Sequence, residues 1–369
     1  MRESTSMSQA QLASRRARRQ PTRKRKTFGR AIKNIIILLF IVLLAGGGWL
    51  YLTPSGTNVR MLLADTLITT QHRVWAKYII GEEALKQRIA EYNQKFNSYG
   101  DEKDNHQITA PSEKAKDLVE IKPVSGAGFS GYLMIVNDPS KIRIGVPNHV
   151  GRGERVSSMV ERTGAIAGVN AGGFADPNWQ GNGFQPIGLV IANGEIYYDG
   201  GINNKKKTQI VGLDKTGKMV AGNYTIPQLK EMGVREAVTF QPRIIVNGKG
   251  LVKNAADGWG IAPRTVMGQR ADGAILFLVI DGRQTHSIGA NLYDCQNIML
   301  ENGAVIAANL DGGSSTVLVK DHQIVNSPAS KSGERYLPTA FLVFNDPEAV
   351  QIPNIWKGLD PNKIDPSKR

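Results

Sequence analysis

Cysteine, histidine and acidic residues are the scarce ingredients of this chain. One cysteine, Cys295, excludes an intramolecular disulfide, and 369 residues are enough to bury a core without one. Cys295 lies in the apolar-periodic stretch NLYDCQNIML, where it reads as a small buried hydrophobe. The five histidines (His72, His106, His149, His286 and His322) are dispersed, with no H-x-H or H-E-x-x-H pair. A zinc site is therefore unsupported, and His286 reads as a loop or surface residue. The chain also lacks a G-x-S-x-G elbow and a G-x-x-x-x-G-K-[ST] loop, which removes the common serine-hydrolase and P-loop readings.

Acidic residues number 32 against 46 basic ones, a net charge of +14. Residues 1–33 hold 11 of the Lys and Arg with Glu3 as their single acid, so the remaining chain carries 35 bases against 31 acids, or +4. The excess belongs to a tail, which argues against a nucleic-acid binder with basic residues spread over its domain. After the tail comes IIILLFIVLLAGGGWLYL, residues 35–52, without a charge. Its length suits a transmembrane helix, and the basic flank places the N-terminus in the cytoplasm with the rest outside. A cleaved signal peptide is disfavoured, because its apolar region is usually shorter and no A-x-A site follows.

Composition then divides the chain into a basic cytoplasmic tail (1–33), an anchor (34–53), a helical juxtamembrane stalk (54–98) that Gly81 interrupts, a polar linker (99–116), a main domain (117–346) and a C-terminal tail (347–369). In the main domain, β-rich runs such as GYLMIV, KIRIGV, AILFLVI and TAFLVF alternate with Gly, Asn and Asp turns. ANGE and VNGK each carry Asn-Gly, a strong hairpin signal. Two helices stand out, 154–164 and 290–303; the second places Leu292, Cys295, Ile298 and Met299 on one face and ends at Gly303. The expected fold class is α+β, a many-stranded mixed sheet with few helices, behind one transmembrane helix.

Four segments of the domain are richer in Gly and polar groups than simple turns require: VNAGGF, APRTVMGQ, IDGRQTHSIGAN and NLDGGSST. Each alone reads as a turn or strand end; Asp281-Gly282, for example, is a good turn pair. Together they supply carboxylates (Asp311, Asp281), guanidinium groups (Arg264, Arg283, Arg335), amides (Asn170, Asn309) and Gly-rich backbone. That set suits a phosphate or phosphodiester, because guanidinium groups bind phosphate oxygens in pairs. Two backbone anion sites are also expected: the N-terminus of the 290–303 helix, and a nest at Gly312-Gly313. Asp311, Asp281 and Asn309 also suit a hard cation such as Ca²⁺, although the EF-hand spacing is absent, so a divalent cation stays open while no cofactor is expected.

PRTVMGQ, LFLVIDGRQ, SIGANL, ANLDGGSSTVLV and RYLPTAFLVF, in that order, resemble the signatures of the phosphodiester glycosidase family, and VNAGGF followed by PIGLVIANGEI is similar to its first one. The resemblance runs from about Ser125 to Asn345. It departs at Gly173, where the family often has a large residue, and at Gly312-Gly313-Ser314-Ser315, where the family often has Gly-Gly-Gly-Ser. It implies hydrolysis of a sugar-1-phosphodiester at the glycosidic bond. The family's animal members remove α-N-acetylglucosamine; in a bacterial anchored member the substrate would be a cell-envelope or exopolysaccharide glycan. The expected catalytic residues are Asp311 (nucleophile or general base), Arg264 and Asn170. Gly172, Gly173, Asp281, Arg283, Ser287, Gly289, Asn309, Gly312, Gly313, Ser314, Ser315 and Arg335 are expected to bind substrate. The rival reading is a surface glycan-binding or exopolysaccharide-assembly protein of the same fold without catalysis. Oligomeric state is left open.

Overall fold

The computed structural model describes residues 23–70, 72–108, 117–177, 180–330 and 333–368. The first 22 residues of the basic tail and positions 109–116 of the expected linker lie outside the described residues. The chain divides into two compact units, Met1–Arg60 and Met61–Arg369. In the first, helix α1 (Arg23–Leu52) contains a stretch, Gly29–Leu52, that is long and apolar enough to cross a membrane, by length and composition. Its residues from Ile32 to Leu44 are all exposed.

Three helices follow: α2 (Pro54–Ile68), α3 (Lys77–Ile80) and α4 (Glu82–Asp101). Gly81, at φ 88°, separates α3 from α4, a backbone conformation that favours glycine. These helices do not form a separate stalk. Arg88 and Tyr92 of α4 grip Asp65 of α2, with Arg88 Nε to Oδ1 at 3.0 Å and the Tyr92 hydroxyl to Oδ2 at 2.8 Å. Arg88 also donates to the Ala256 carbonyl, at 3.2 Å, and Lys95 meets Asp257 at 2.5 Å. The expected linker is integrated too. Helix α4 runs on through Tyr99 to Asp101, and the buried Arg243 donates to the carbonyls of Tyr99 (3.0 Å), Glu102 (2.5 Å) and Ala221 (2.8 Å). The expected C-terminal tail packs in the same way, with Ile352 and Trp356 in the main core and Trp356 Nε1 donating to the Phe184 carbonyl at 3.1 Å.

The strands among the described residues are, in chain order, β1 (Val119–Gly126), β2 (Phe129–Val136), β3 (Ile142–Gly145), β4 (Ala167–Asn170), β5 (Val190–Ala192), β6 (Glu195–Tyr198), β7 (Thr208–Asp214), β8 (Met219–Tyr224) and β9 (Val234–Thr239). They continue as β10 (Arg243–Val246), β11 (Lys249–Gly250), β12 (Arg264–Arg270), β13 (Ile275–Ile280), β14 (Ala304–Asn309), β15 (Leu318–Lys320), β16 (Gln323–Ile324) and β17 (Ala340–Val343). They form a seven-stranded sheet β1-β2-β13-β12-β14-β10-β11 and two five-stranded sheets, β16-β15-β4-β17-β3 and β6-β5-β9-β7-β8. The α+β class is as expected, but the expected single mixed sheet is instead three sheets, with antiparallel pairing at every register among these strands. Both Asn-Gly pairs turn hairpins with positive φ at each residue: 52° and 77° at Asn193-Gly194, 52° and 71° at Asn247-Gly248.

Helix α5 (Val156–Thr163) and helix α7 (Leu292–Glu301) stand where the sequence places them; α6 (Ile226–Glu231) is additional. Its signal was a Thr225–Gln228 capping box with Pro227 in the first turn. The large sheet is the middle layer. Ile275, Phe277 and Val279 of β13 join the core shared with the two smaller sheets, while Leu276, Leu278 and Ile280 join the core under α4 and α7. Burial on both faces is why AILFLVI reads as an unbroken apolar run without alternation.

The Asp65 network predicts that the helical segment stabilises the whole domain. Asp65→Ala in the full-length protein should lower unfolding free energy by about 3 kcal/mol, the low end for a buried pair because Arg88 keeps 20% of its side chain exposed. Denaturant titration in detergent reads this, and an unchanged midpoint would return these helices to the status of a stalk.

Candidate active site

Register explains where the polar segments meet. Arg264 opens β12 opposite Ile280, which ends β13, and Val266 pairs with Asn309, which ends β14. The neighbouring small sheet delivers Asn170 at the end of β4, opposite Ala340. The Asp311 N–H donates to the Ala171 carbonyl at 3.0 Å and the Leu310 N–H to the Thr265 carbonyl at 2.8 Å, so the loop after β14 bridges both sheets. Gly313 takes φ 61° within that loop.

The loop forms the floor of a cleft of about 1270 Å³. Of the expected site residues, Gly173, Arg264, Arg283, Asn309, Asp311, Gly312, Gly313, Ser314, Ser315 and Arg335 line it. Asp311 lies on this loop, among the cleft's three acids. Burial pushes the carboxyl up to about 6, against the opposing pull of the Ser315 hydroxyl, the Arg335 guanidinium and the Gly312 N–H at 3.0 Å. A carboxylic acid tuned to the neutral range is the property expected of a catalytic group.

Cations dominate the rest of the cleft: Arg73, Arg152, Arg155, Arg264, Arg283 and Arg335, against Asp176, Asp311 and Glu334. Of these arginines, only Arg335 is in a salt bridge among the described residues, to Asp176 at 2.7 Å. Arg264 is almost fully buried, and its partners are the carbonyls of Trp259 (2.7 Å), Gly260 (2.9 Å) and Ala290 (3.2 Å). Burial without a carboxylate pushes its pKa down to about 10. An uncompensated buried cation is costly unless an anion completes the site. Gly173 sits opposite Phe240, and a Cβ there would lie 3.2 Å from that ring, so any larger residue narrows this wall.

Five expected residues are held elsewhere. Asn170 is wholly buried behind Asp311 rather than facing substrate: Nδ2 donates to the Asp311 carbonyl at 2.6 Å, while Oδ1 accepts from the Thr265 hydroxyl (2.8 Å) and the Val317 N–H (3.1 Å). Gly172 is packed on Val238 and donates to the Thr339 hydroxyl at 3.0 Å. Asp281 accepts from Asn326 Nδ2 (3.0 Å) and the Ser327 N–H (2.9 Å) and lines a second cavity of about 490 Å³ beside His286. Ser287 serves that loop, donating to the Asp281 carbonyl at 2.6 Å. Gly289, at φ 111°, lets two backbones approach; a Cβ would stand 2.5 Å from the Ala262 carbonyl carbon.

Both expected backbone anion sites are occupied internally. The Gly312 N–H turns to the Asp311 carboxylate and the Gly313 N–H to the Pro263 carbonyl at 2.9 Å. At α7, Asn291 and Asp294 form a capping box and the Leu292 N–H donates to the Gly258 carbonyl at 2.8 Å. The Asp311–Asp281–Asn309 cation set is not assembled, because Asp281 lines the other cavity. Residues the sequence reading passed over include Asp176, Trp259, Tyr336 and Arg73, and also Arg152 and Arg155, which stack on Tyr336 at 3.8 and 5.1 Å. The one local signal was R-G-E-R just before α5; Arg73 lies in a segment far from every polar motif.

Fold and cleft together define an α+β protein with an arginine-rich cleft around Asp311. Its family follows from sequence: residues 163–344 match the phosphodiester glycosidase family model, and the chain carries a domain of that family. A relative in Bacillus subtilis (strain 168), the SPbeta prophage-derived uncharacterized protein YomE, is 29% identical over 197 residues, 52% of this chain. The match spans only 29% of that protein's length. The catalytic domain of zebrafish N-acetylglucosamine-1-phosphodiester alpha-N-acetylglucosaminidase, described as auto-inhibited by its pro-peptide, aligns with TM-score 0.55 and 19% identity. That alignment covers 68% of this chain and 90% of the zebrafish chain, and shows the shared fold.

Asn170→Ala should destabilise the protein by about 3 kcal/mol, since the Val317 N–H and Asp311 carbonyl lose buried partners. Thermal or denaturant unfolding checks this; a change below about 0.5 kcal/mol would show that the amide is not a structural pivot.

Proposed function

We propose that the protein is a membrane-anchored hydrolase that cleaves the glycosidic bond of a sugar-1-phosphodiester. The observation that carries this reading is the combination in one cleft of a neutral-range acid, Asp311, with arginines that lack carboxylate partners. The phosphate is already a good leaving group, so acid assistance matters less than charge stabilisation. The bond from the anomeric carbon to the phosphate oxygen breaks with its electron pair passing to the phosphate. Arg264 and Arg283 face that charge, and Arg335 is held for Asp311 by Asp176. Asp311, as the carboxylate, either attacks the anomeric carbon or takes the proton from an attacking water; the cleft leaves room for both. Asn309 and Ser314 stand within reach of sugar hydroxyls along the same floor. Convergence of Asp311 and Arg264 favours this enzyme over a binding protein of the same fold.

In this reading α1 is an uncleaved anchor, with the basic tail cytoplasmic and the domain outside, where cell-envelope or exopolysaccharide glycans carry phosphodiesters. Full-length protein in detergent, assayed on a panel of soluble sugar-1-phosphodiesters that begins with the N-acetylglucosamine compound, tests the activity. Release of free sugar is expected, and Asp311→Asn should reduce it by about 10³-fold or more with the fold intact. Near-wild-type turnover by that variant would sink the assignment.

The pH dependence has a definite sign. The Asp311 carboxyl is raised to about 6, so the ionised form required of a nucleophile or base fills in only as pH rises through that value. The rate should climb on a limb centred near pH 6 and flatten above it; a rate that falls across this limb would make Asp311 a general acid instead. Arg264→Lys should weaken substrate binding by about tenfold or more, because an ammonium cannot keep the bonds to the Trp259, Gly260 and Ala290 carbonyls and still present a donor to the phosphate. An unchanged KM would remove Arg264 from the phosphate site.

A further inference from the structure

Thr69, Arg73 and Val74 line the cleft although they lie between α2 and α3, well outside residues 163–344. The 3-10 turn Arg73–Ala76 buries only Ala76. Around it Val74, Trp75 and Tyr78 keep 57%, 54% and 75% of their surfaces exposed. Arg73 and Lys77 are exposed beside them, with Lys77 over the Tyr78 ring at 5.2 Å, and neither is in a salt bridge among the described residues. Large apolar and aromatic groups interleaved with cations are the composition of a segment that rests in a bilayer interface. There Trp and Tyr rings sit at headgroup depth and Arg and Lys meet lipid phosphates. The chain itself supplies the membrane, since a helix of spanning length and apolarity ends at Leu52, 21 positions before Arg73.

We propose that residues 73–78 seat on the bilayer surface, and that the cleft that Arg73 and Val74 help to line takes a sugar phosphodiester with a membrane lipid as its aglycone. The substrate class rests on the glycosidase reading above; the membrane seat does not. The geometry explains why such a cleft would sit at the surface. Each methylene drawn from the bilayer into water opposes binding, so a site for a lipid-linked head group works best where the lipid need not leave. The sugar then reaches Asp311 while its phosphate lies among Arg73, Arg264 and Arg283, and the tail passes out beside Val74.

Two measurements on the full-length protein in phosphatidylglycerol-containing nanodiscs test this. A nitroxide on Trp75→Cys is compared with one on Lys86→Cys, a site 62% exposed; Cys295 is buried and does not compete for the label. At position 75 the ratio of oxygen to aqueous-nickel collisions should exceed that at 86 by about tenfold, as for a label at headgroup depth. Equal ratios, or spin–spin broadening from a second copy docked on this patch, would overturn the membrane seat. In the second measurement, the double variant Trp75→Ser/Tyr78→Ser should lose about tenfold in kcat/KM on a lipid-linked sugar phosphodiester while keeping its rate on a water-soluble diester of the same sugar. Equal change on both substrates would overturn the lipid aglycone. If the wild type cleaves neither, the glycosidase reading fails instead, and the nitroxide result still decides the membrane seat.

Discussion

The structure hangs on one buried amide. Asn170 ends β4 in one sheet, receives the hydroxyl of Thr265 from β12 in another, and holds the Asp311 carbonyl and Val317 N–H at the two ends of the loop between them. That loop contains two glycines and would otherwise have many conformations available. With both ends tied to the same side chain, the Asp311 carboxylate has a fixed position relative to Arg264, which starts the strand next to β14. Buried amides are stable only when their hydrogen bonds are made, so the same groups that position the acid also hold the sheets in register.

Electrostatics follows from that placement. Inside the cleft, burial disfavours the charge of Asp311, while five of the six arginines have no salt bridge among the described residues. Arg264 is the extreme case, a buried guanidinium satisfied only by carbonyl oxygens. Such a site is incomplete by itself, and a phosphate would supply the missing negative charge and lone pairs. Elsewhere the protein tolerates a buried arginine for a different reason: Arg243 reaches three carbonyls and so pins α4 to β10, making that helix part of the domain.

Much of the fold was legible because its signals are local. AILFLVI announced a strand, Asn-Gly pairs announced hairpins that need positive φ, and Leu292, Cys295 and Met299 announced the buried side of α7. The role of Asn170 was not legible, since its partners lie 95 to 147 positions away and nothing near it in sequence distinguishes a ligand contact from a structural bond. The same holds for Asp281, whose turn points its carboxylate at Asn326 and Ser327 and away from Asp311. The expected nest failed for a local reason that sequence does not display: the Gly312 and Gly313 N–H groups are spent on Asp311 and Pro263.

Sequence alone determined the apolar run before the domain, the α+β texture of many strands and few helices, the order of the Gly-rich segments and the identity of Asp311, Arg264 and Arg335 as residues of one cleft. Each of these depends on periodicity, composition or motif order, which the chain carries without folding. Tertiary structure decided which polar groups face outward and which are consumed inside, and it added Arg73, Arg152 and Arg155 to the site and the helical residues 61–101 to the domain. The physical reason is that hydrogen bonds and burial are settled between residues far apart in sequence. Whether a carboxylate or guanidinium remains free for a ligand is known only when every nearer partner has taken its share.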